Sequence, residues 1–155
     1  NLGRMESGRP FDYYTDGLSP SIAGLVEKLD AERLKVAEAI GLKLPTALEW
    51  LASSYDALGE NLYQALQNNE AYKGIPAPLL AKIEDKLTLR YVVEDVPAGL
   101  VPVSELGQKF GVDTPAINTI INLANVLYDT DFRAKGRNLV QLGLEDLSPK
   151  EIRNL

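Results

Sequence analysis

The sequence predicts an all-α, multi-helical domain. Three observations carry that expectation. Apolar residues recur at three- to four-residue spacing through most of the chain. Helix-opening pairs stand ahead of those runs: Ser19-Pro20, Thr114-Pro115 and Ser148-Pro149, with Thr46 as a further cap. No two alternating segments flank a turn, so there is no convincing strand pair.

The opening, NLGRMESGRPFDYYTDGLSP, mixes glycines and aromatics without a helical period and reads as an extended lead-in. Its Tyr13 and Tyr14 are expected to pair with another strand or pack on the core. From about Pro20 to Ile40 one long helix is expected, stopped by Gly41. Ile22, Leu25, Val26, Leu29, Leu34, Val36, Ala37 and Ile40 form its apolar stripe. Asp30, Glu32, Arg33, Lys35 and Glu38 form its wet face, and a break in period near Asp30 and Ala31 marks a bend. Thr46 caps a second helix through Leu48, Trp50 and Leu51. A third runs through Leu62, Ala65 and Leu66 and fades at Asn68-Asn69. KGIPAPLL is a loop, and LAKIEDKL adds a charged helical turn. Val103, Leu106 and Phe110 fit a short helix ended by Gly111. The helix after Thr114 is apolar on most sides and is expected to be the most buried one. A last short helix follows Ser148.

A chain of 155 residues is long enough for one domain with a real core. It contains neither cysteine nor histidine, which removes disulfides, thiolates, the commonest general base and the commonest metal ligand. No metal is expected. Proton transfer must use carboxylates, Lys or Tyr, or a group from elsewhere. A net charge of -6 argues against nucleic acid, which needs a basic surface. No apolar run approaches a membrane span, and the sequence shows no cationic start followed by an apolar run of the signal-peptide kind, so the expectation is a cytoplasmic protein. Starting at Asn1 without a methionine, the chain is read as a segment of something longer.

The stretch LRYVVEDVPAGLVP, residues 89–102, carries the chemistry. It sets Arg90, Glu94 and Asp95 in an otherwise apolar run that ends in Pro97, Gly99 and Pro102. Residues five apart do not share a helical face, but on an extended stretch that then turns both Arg90 and Asp95 line one cleft. Two readings stand side by side. One is a structural ion pair, with the acids capping a helix. The other is an anion clamp beside a carboxylate that orients a base, since the planar fork of arginine suits a carboxylate.

Four blocks then bear a family likeness: NLGRMESG with PFDYYTDGLSPSIAGLVEKLDAERLKVAEAIGL, NNEAYKGIPAP, RYVVEDVPAGLVPVSELGQKFGVDTPAI, and DFRAKGRNLVQLGL. Together, and in this order, they resemble the helical C-terminal domain of the opine (octopine/nopaline) dehydrogenases. The resemblance implies a fold like the C-terminal helical domain of 6-phosphogluconate dehydrogenase, across residues 1–155. It also implies NAD- or NADP-dependent reductive condensation of a 2-oxo acid with the amino group of an amino acid. The cofactor would be bound mainly by an N-terminal Rossmann domain of the same polypeptide, and the enzyme would be a homodimer. The family's catalytic histidine pairs with an aspartate, which maps onto Asp95. Its substrate-carboxylate arginine maps onto Arg90. Tyr72 in AYKGI either lines the cleft or packs in the core.

This sequence departs from the family in lacking the glycine fingerprint and the histidine. A cut at the domain junction accounts for both. LLAKIEDKLTL, ahead of Arg90, is longer and more charged than the family pattern. Two other functions compete: a helical dimerisation domain whose charges merely hold the fold, and an acidic helical adaptor. The adaptor would expose an apolar groove or patch.

Overall fold

Helices account for nearly all of the regular structure. The computed structural model describes residues 1–155, the side chain of Ile83 excepted. In chain order the α-helices are α1 (Leu2–Glu6), α2 (Pro20–Ala39), α3 (Ala47–Tyr55), α4 (Leu62–Asn68), α5 (Arg90–Val93), α6 (Val101–Lys109), α7 (Pro115–Tyr128), α8 (Phe132–Lys135) and α9 (Pro149–Arg153). Glu70–Tyr72 and Ile83–Thr88 are 3₁₀ turns, and Val96–Leu100 is a π-helical turn. Among the described residues the strand-like pairing is one isolated antiparallel bridge, Asp12 with Pro76. Among the described residues no helix is long and apolar enough to cross a membrane.

The lead-in departs from expectation at its start, where Leu2–Glu6 is helical. A segment of little more than one turn is too short to show a period. It is held instead by buried Met5 and by side chains reaching forward: Asn1 Nδ2 donates to the Gly17 carbonyl at 2.7 Å, and Arg4 to the Asp16 carbonyl at 2.6 Å. Only a short piece around Phe11 and Asp12 is extended as expected; residues 13–17 turn instead, with Asp16 and Gly17 N–H both donating to the Asp12 carbonyl at 3.1 Å. Tyr13 N–H donates to the Ile75 carbonyl at 2.8 Å and Ala77 N–H to the Phe11 carbonyl at 2.9 Å.

The chain divides into two compact units, residues 1–30 with 45–88 and residues 31–44 with 89–155. Helix α2 is continuous across Asp30–Ala31, where the division falls and where the apolar period breaks. Its early apolar residues, Ala23 and Val26, belong to the core of the first unit. The later ones, Val36, Ala37 and Ile40, are buried residues of the second. Two half-stripes, each in phase with its own core, account for the break. Gly41, at φ +78°, ends the helix as expected.

In the first unit, Ala23, Leu51, Ala57, Leu62, Ala65 and Leu66 form the core, with Tyr14 and Tyr72 packed against it. Thr46 and Glu49 make a reciprocal capping box on α3, and Asn61 caps α4. Two carboxylates of α2 add longer-range caps. Asp30 accepts from Ala47 N–H at 2.7 Å and Glu27 from Leu62 N–H at 2.7 Å.

In the second unit, Ile117 and Ile121 of α7 are fully buried, with Val101 of α6. Helix α7 is not apolar to the core all round, however. Leu123 and Val126 stay on the surface, Val126 at 80% exposure, so its apolar residues serve two faces. The wet face of α2 also needs correcting. Glu32 is 8% exposed, and its carboxylate accepts from Ala116 N–H at 2.8 Å and Ile117 N–H at 2.9 Å. Thr114 occupies the N-cap position of α7 but makes no side-chain cap bond. Glu32 does that work from α2, where its negative charge also suits the positive end of the α7 dipole.

We expect Glu32→Ala to cost about 2–3 kcal/mol, because two N–H groups lose a charged acceptor and one of them is buried. The exposed Glu38→Ala, on the same helix, should stay within ~0.5 kcal/mol. Urea unfolding of the two variants compares them. Equal midpoints would show that the α7 cap carries no stability.

Candidate functional site

Leu89, buried, fixes the start of α5, and buried Val96 and Val101 anchor the π turn and the start of α6. Between these anchors the polar residues face outward. Arg90, Glu94 and Asp95 are all exposed, while Val92, Val93 and Pro97 are half-buried. The charges therefore sit on the solvent side of a segment held by its apolar residues.

The backbone is helical where an extended stretch was expected. Glu94 N–H donates to the Arg90 carbonyl at 3.0 Å, and both Glu94 and Asp95 have right-handed helical φ and ψ. Beyond Asp95 an ordinary α ladder would need Pro97 to donate to Val93 and Pro102 to donate to Ala98. Neither proline has an N–H, and each ring would crowd that carbonyl. The ladder widens into a π turn, with Val101 N–H donating to the Val96 carbonyl. Proline and glycine here mark a change of helical register rather than an end to helix.

The helical register brings Arg90 and Glu94 together. Arg90 Nε lies 2.6 Å from Glu94 Oε2 and Arg90 Nη2 lies 2.9 Å from Oε1, a fork-to-fork pair. This hydrogen-bonded pair, with a weaker contribution from the field of Asp95, raises the Arg90 guanidinium above its ordinary pKa. Hydrogen bonding to Arg90 lowers the Glu94 carboxyl below the usual range, and the charge of Arg137 acts in the same direction. Asp95, next in the chain, makes no side-chain cap bond to the π turn.

Sequence reasoning missed two basic neighbours. A shallow depression of about 380 Å³ is lined by Val93, Glu94, Pro97 and Ala98 on one side and Lys135, Gly136 and Arg137 on the other. The RAKGR loop is fastened there through its backbone, Arg137 N–H donating to the Pro97 carbonyl at 2.9 Å. A Cβ on Gly136 would meet the Phe132 and Pro97 carbonyl oxygens at 2.6 and 2.7 Å. Glycine in that motif was the available signal.

A larger depression, about 680 Å³, includes Arg133 in its lining, where three of its polar residues bond to one another. Ser104 Oγ donates to Asn118 Oδ1 at 2.7 Å, and Arg133 donates to both residues. Tyr72 lies in the first unit, stacked on Tyr14 at 4.1 Å. Burial and a hydrogen bond with Tyr55 push its phenol up to about 12. Among the described residues no group of three or more His, Cys, Asp or Glu is placed to hold a metal ion.

Gly136→Ala should destabilise by about 1–3 kcal/mol, since the atoms in its way are backbone and cannot move aside cheaply. Gly99→Ala, with nothing within 4 Å of its Cβ, should be neutral or slightly stabilising. Thermal melts of both variants test the close approach of the two loops. A harmless Gly136→Ala would contradict it.

Residues 1–128 match the family described as NAD/NADP octopine/nopaline dehydrogenase, alpha-helical domain. The chain is 46% identical over 154 residues to an opine dehydrogenase of Arthrobacter sp., covering 99% of this chain and 41% of that protein. It is 28% identical to a vitopine synthase of Allorhizobium ampelinum, covering 86% of this chain and 35% of that protein. Among solved structures, an octopine dehydrogenase with NADH and L-arginine shares the fold at a TM-score of 0.64. Its sequence identity is 22%, and the match covers 85% of this chain and 37% of that one. The chain thus spans between a third and about two fifths of the length of the curated relatives it matches. With a helical architecture and the family motifs in order along it, the chain belongs to the alpha-helical domain family of the octopine/nopaline dehydrogenases.

Proposed function

We propose that this chain is the substrate-binding and catalytic-aspartate part of a longer NAD(P)-dependent opine dehydrogenase. That enzyme condenses a 2-oxo acid reductively with the amino group of an amino acid. The observation that carries the proposal is the exposed Arg90 fork, gripped at Nε and Nη2 by a carboxylate in the geometry a substrate acid would adopt. In this role Arg90 binds a substrate carboxylate, orients the acid and offsets its charge as a second anionic reactant arrives. Asp95 accepts the imidazole N–H of a histidine supplied by a preceding Rossmann domain. It thereby fixes the tautomer and favours the protonated ring. Asp95 is exposed and makes no cap bond, which suits a group that meets a residue outside this chain. The described residues contain no strand, glycine turn and helix of the kind that cradles a dinucleotide pyrophosphate, so they do not themselves fit the nicotinamide cofactor. Cofactor binding falls to the preceding domain, in a cytoplasmic homodimer.

A second reading, a helical dimerisation domain without catalytic role, is favoured by the exposed Leu123 and Val126 on α7. It predicts that Val126→Asp changes the sedimentation coefficient of the full-length enzyme while Asp95→Asn leaves turnover intact.

The catalytic reading makes different demands. In the full-length enzyme, Asp95→Asn should lower kcat by about 10²-fold or more. Arg90→Ala should raise KM for the carboxylate substrate, and should lower kcat as well if the same contact aligns the reacting carbon. Both variants should keep the wild-type far-UV circular dichroism and melting temperature, since both side chains are exposed. A large fall in melting temperature with unchanged kinetics in the folded fraction would reject these assignments. The isolated chain should oxidise no NADH with pyruvate and a panel of amino acids. Turnover above the blank would contradict the division of labour.

A further inference from the structure

We infer that Glu94 is an internal competitor of the substrate carboxylate for Arg90, and that Arg137 receives Glu94 when the substrate binds. The inference rests on Arg90 being the carboxylate clamp. Glu94 occupies Nε and Nη2 of Arg90, the pair of donors that a carboxylate ligand takes in a fork-to-fork pose. The occupant and the ligand therefore belong to one chemical class and contend for one set of donors. The contest is open to a ligand because the pair is weak. Its side chains are 80% and 51% exposed, and ion pairs in that setting contribute little and are screened by salt.

Displacing Glu94 creates a problem that the second loop solves. A freed carboxylate beside a newly bound acid repels it. Across the shallow depression from Glu94 stand Lys135 and Arg137. The main chain of Arg137 is fixed to Pro97, and Gly136 packs against the same segment, so the receiving side is held in place whatever Glu94 does. Exchange then needs a change of side-chain rotamer and no movement of the backbone. This arrangement gives the RAKGR loop a part in substrate affinity, and it makes Glu94 a positioning residue rather than a catalytic one.

The test uses the full-length enzyme and steady-state kinetics with pyruvate as the varied acid. Glu94→Gln should lower KM for the acid about two- to five-fold, the range expected for an exposed pair, with the change carried by KM. Glu94→Asp, a shorter carboxylate, should fall between that variant and the wild type. Arg137→Ala should raise KM, Arg137→Lys should restore most of the loss, and Arg137→Ala should have no effect in the Glu94→Gln background. An unchanged or higher KM in Glu94→Gln would overturn the inference, as would an Arg137→Ala effect that persists without the Glu94 charge. Arg90→Ala separates the two levels. If it leaves KM for the acid unchanged, the clamp fails and this inference fails with it. If it raises KM while Glu94→Gln does nothing, only this inference is lost.

Discussion

A carboxylate withdrawn from water has to be met by donors, and the two oxygens of Glu32 meet the first two N–H groups of α7, those of Ala116 and Ile117. Those two groups are the ones a helix cannot satisfy internally at its start. Thr114 holds the usual capping position and is itself buried, yet its side chain makes no cap bond. A helix whose Ile117 and Ile121 lie fully buried brings its amino end close to the core, where water is scarce. Glu32 resolves both shortages with one residue, serving as a capped charge and as a charged cap. That exchange ties the start of α7 to α2.

Helix α2 repeats the device. Asp30 serves the start of α3 and Glu27 the start of α4, each adding to a local cap from Thr46 or Asn61. In sequence these acids look like any solvated helix face, because helical periodicity separates polar from apolar positions and says nothing about which polar positions face another helix end. The local caps were legible for the opposite reason. A capping box is complete within four residues, so Thr46 and Glu49 announce α3 without reference to the rest of the molecule. The same contrast holds for the starts and stops. Ser19-Pro20 and Gly41 bound α2 as expected, while α1, too short for a period, depends on contacts with Asp16 and Gly17 that lie outside it.

The candidate site divides along the same line. That residues 89–102 carry the unusual charges was legible from composition, and the family likeness names Arg90 and Asp95 within it. The backbone conformation was not. Valines, prolines and a glycine in close succession suggest an extended segment that turns, and each taken alone disfavours an α-helix. Their spacing decides otherwise. Pro97 and Pro102 are five residues apart, and both lack the N–H that a uniform α register would use, so a wider register absorbs them without breaking the helical course. For the neighbouring loop the glycine of RAKGR was the one available signal, and it does not name its partner, since the link from Arg137 N–H to the Pro97 carbonyl joins segments forty residues apart.

Glu32 and Glu94 show how one residue type serves two ends. Glu32 is buried and its donors are backbone N–H groups of a long helix, which neither rotate nor exchange, so its interaction specifies structure. Glu94 is exposed and its donor is a flexible side chain, itself open to solvent, so its interaction is strong in geometry and weak in free energy. The substrate clamp proposed for Arg90 needs the second kind. A clamp locked by a buried partner could not release it at the affinity of a small acid, and a bare guanidinium would take up whatever anion the solvent offered. An exposed internal carboxylate on Arg90, above a backbone fixed by Leu89, Val96 and the Pro97–Arg137 contact, keeps the fork aligned while leaving it open to exchange.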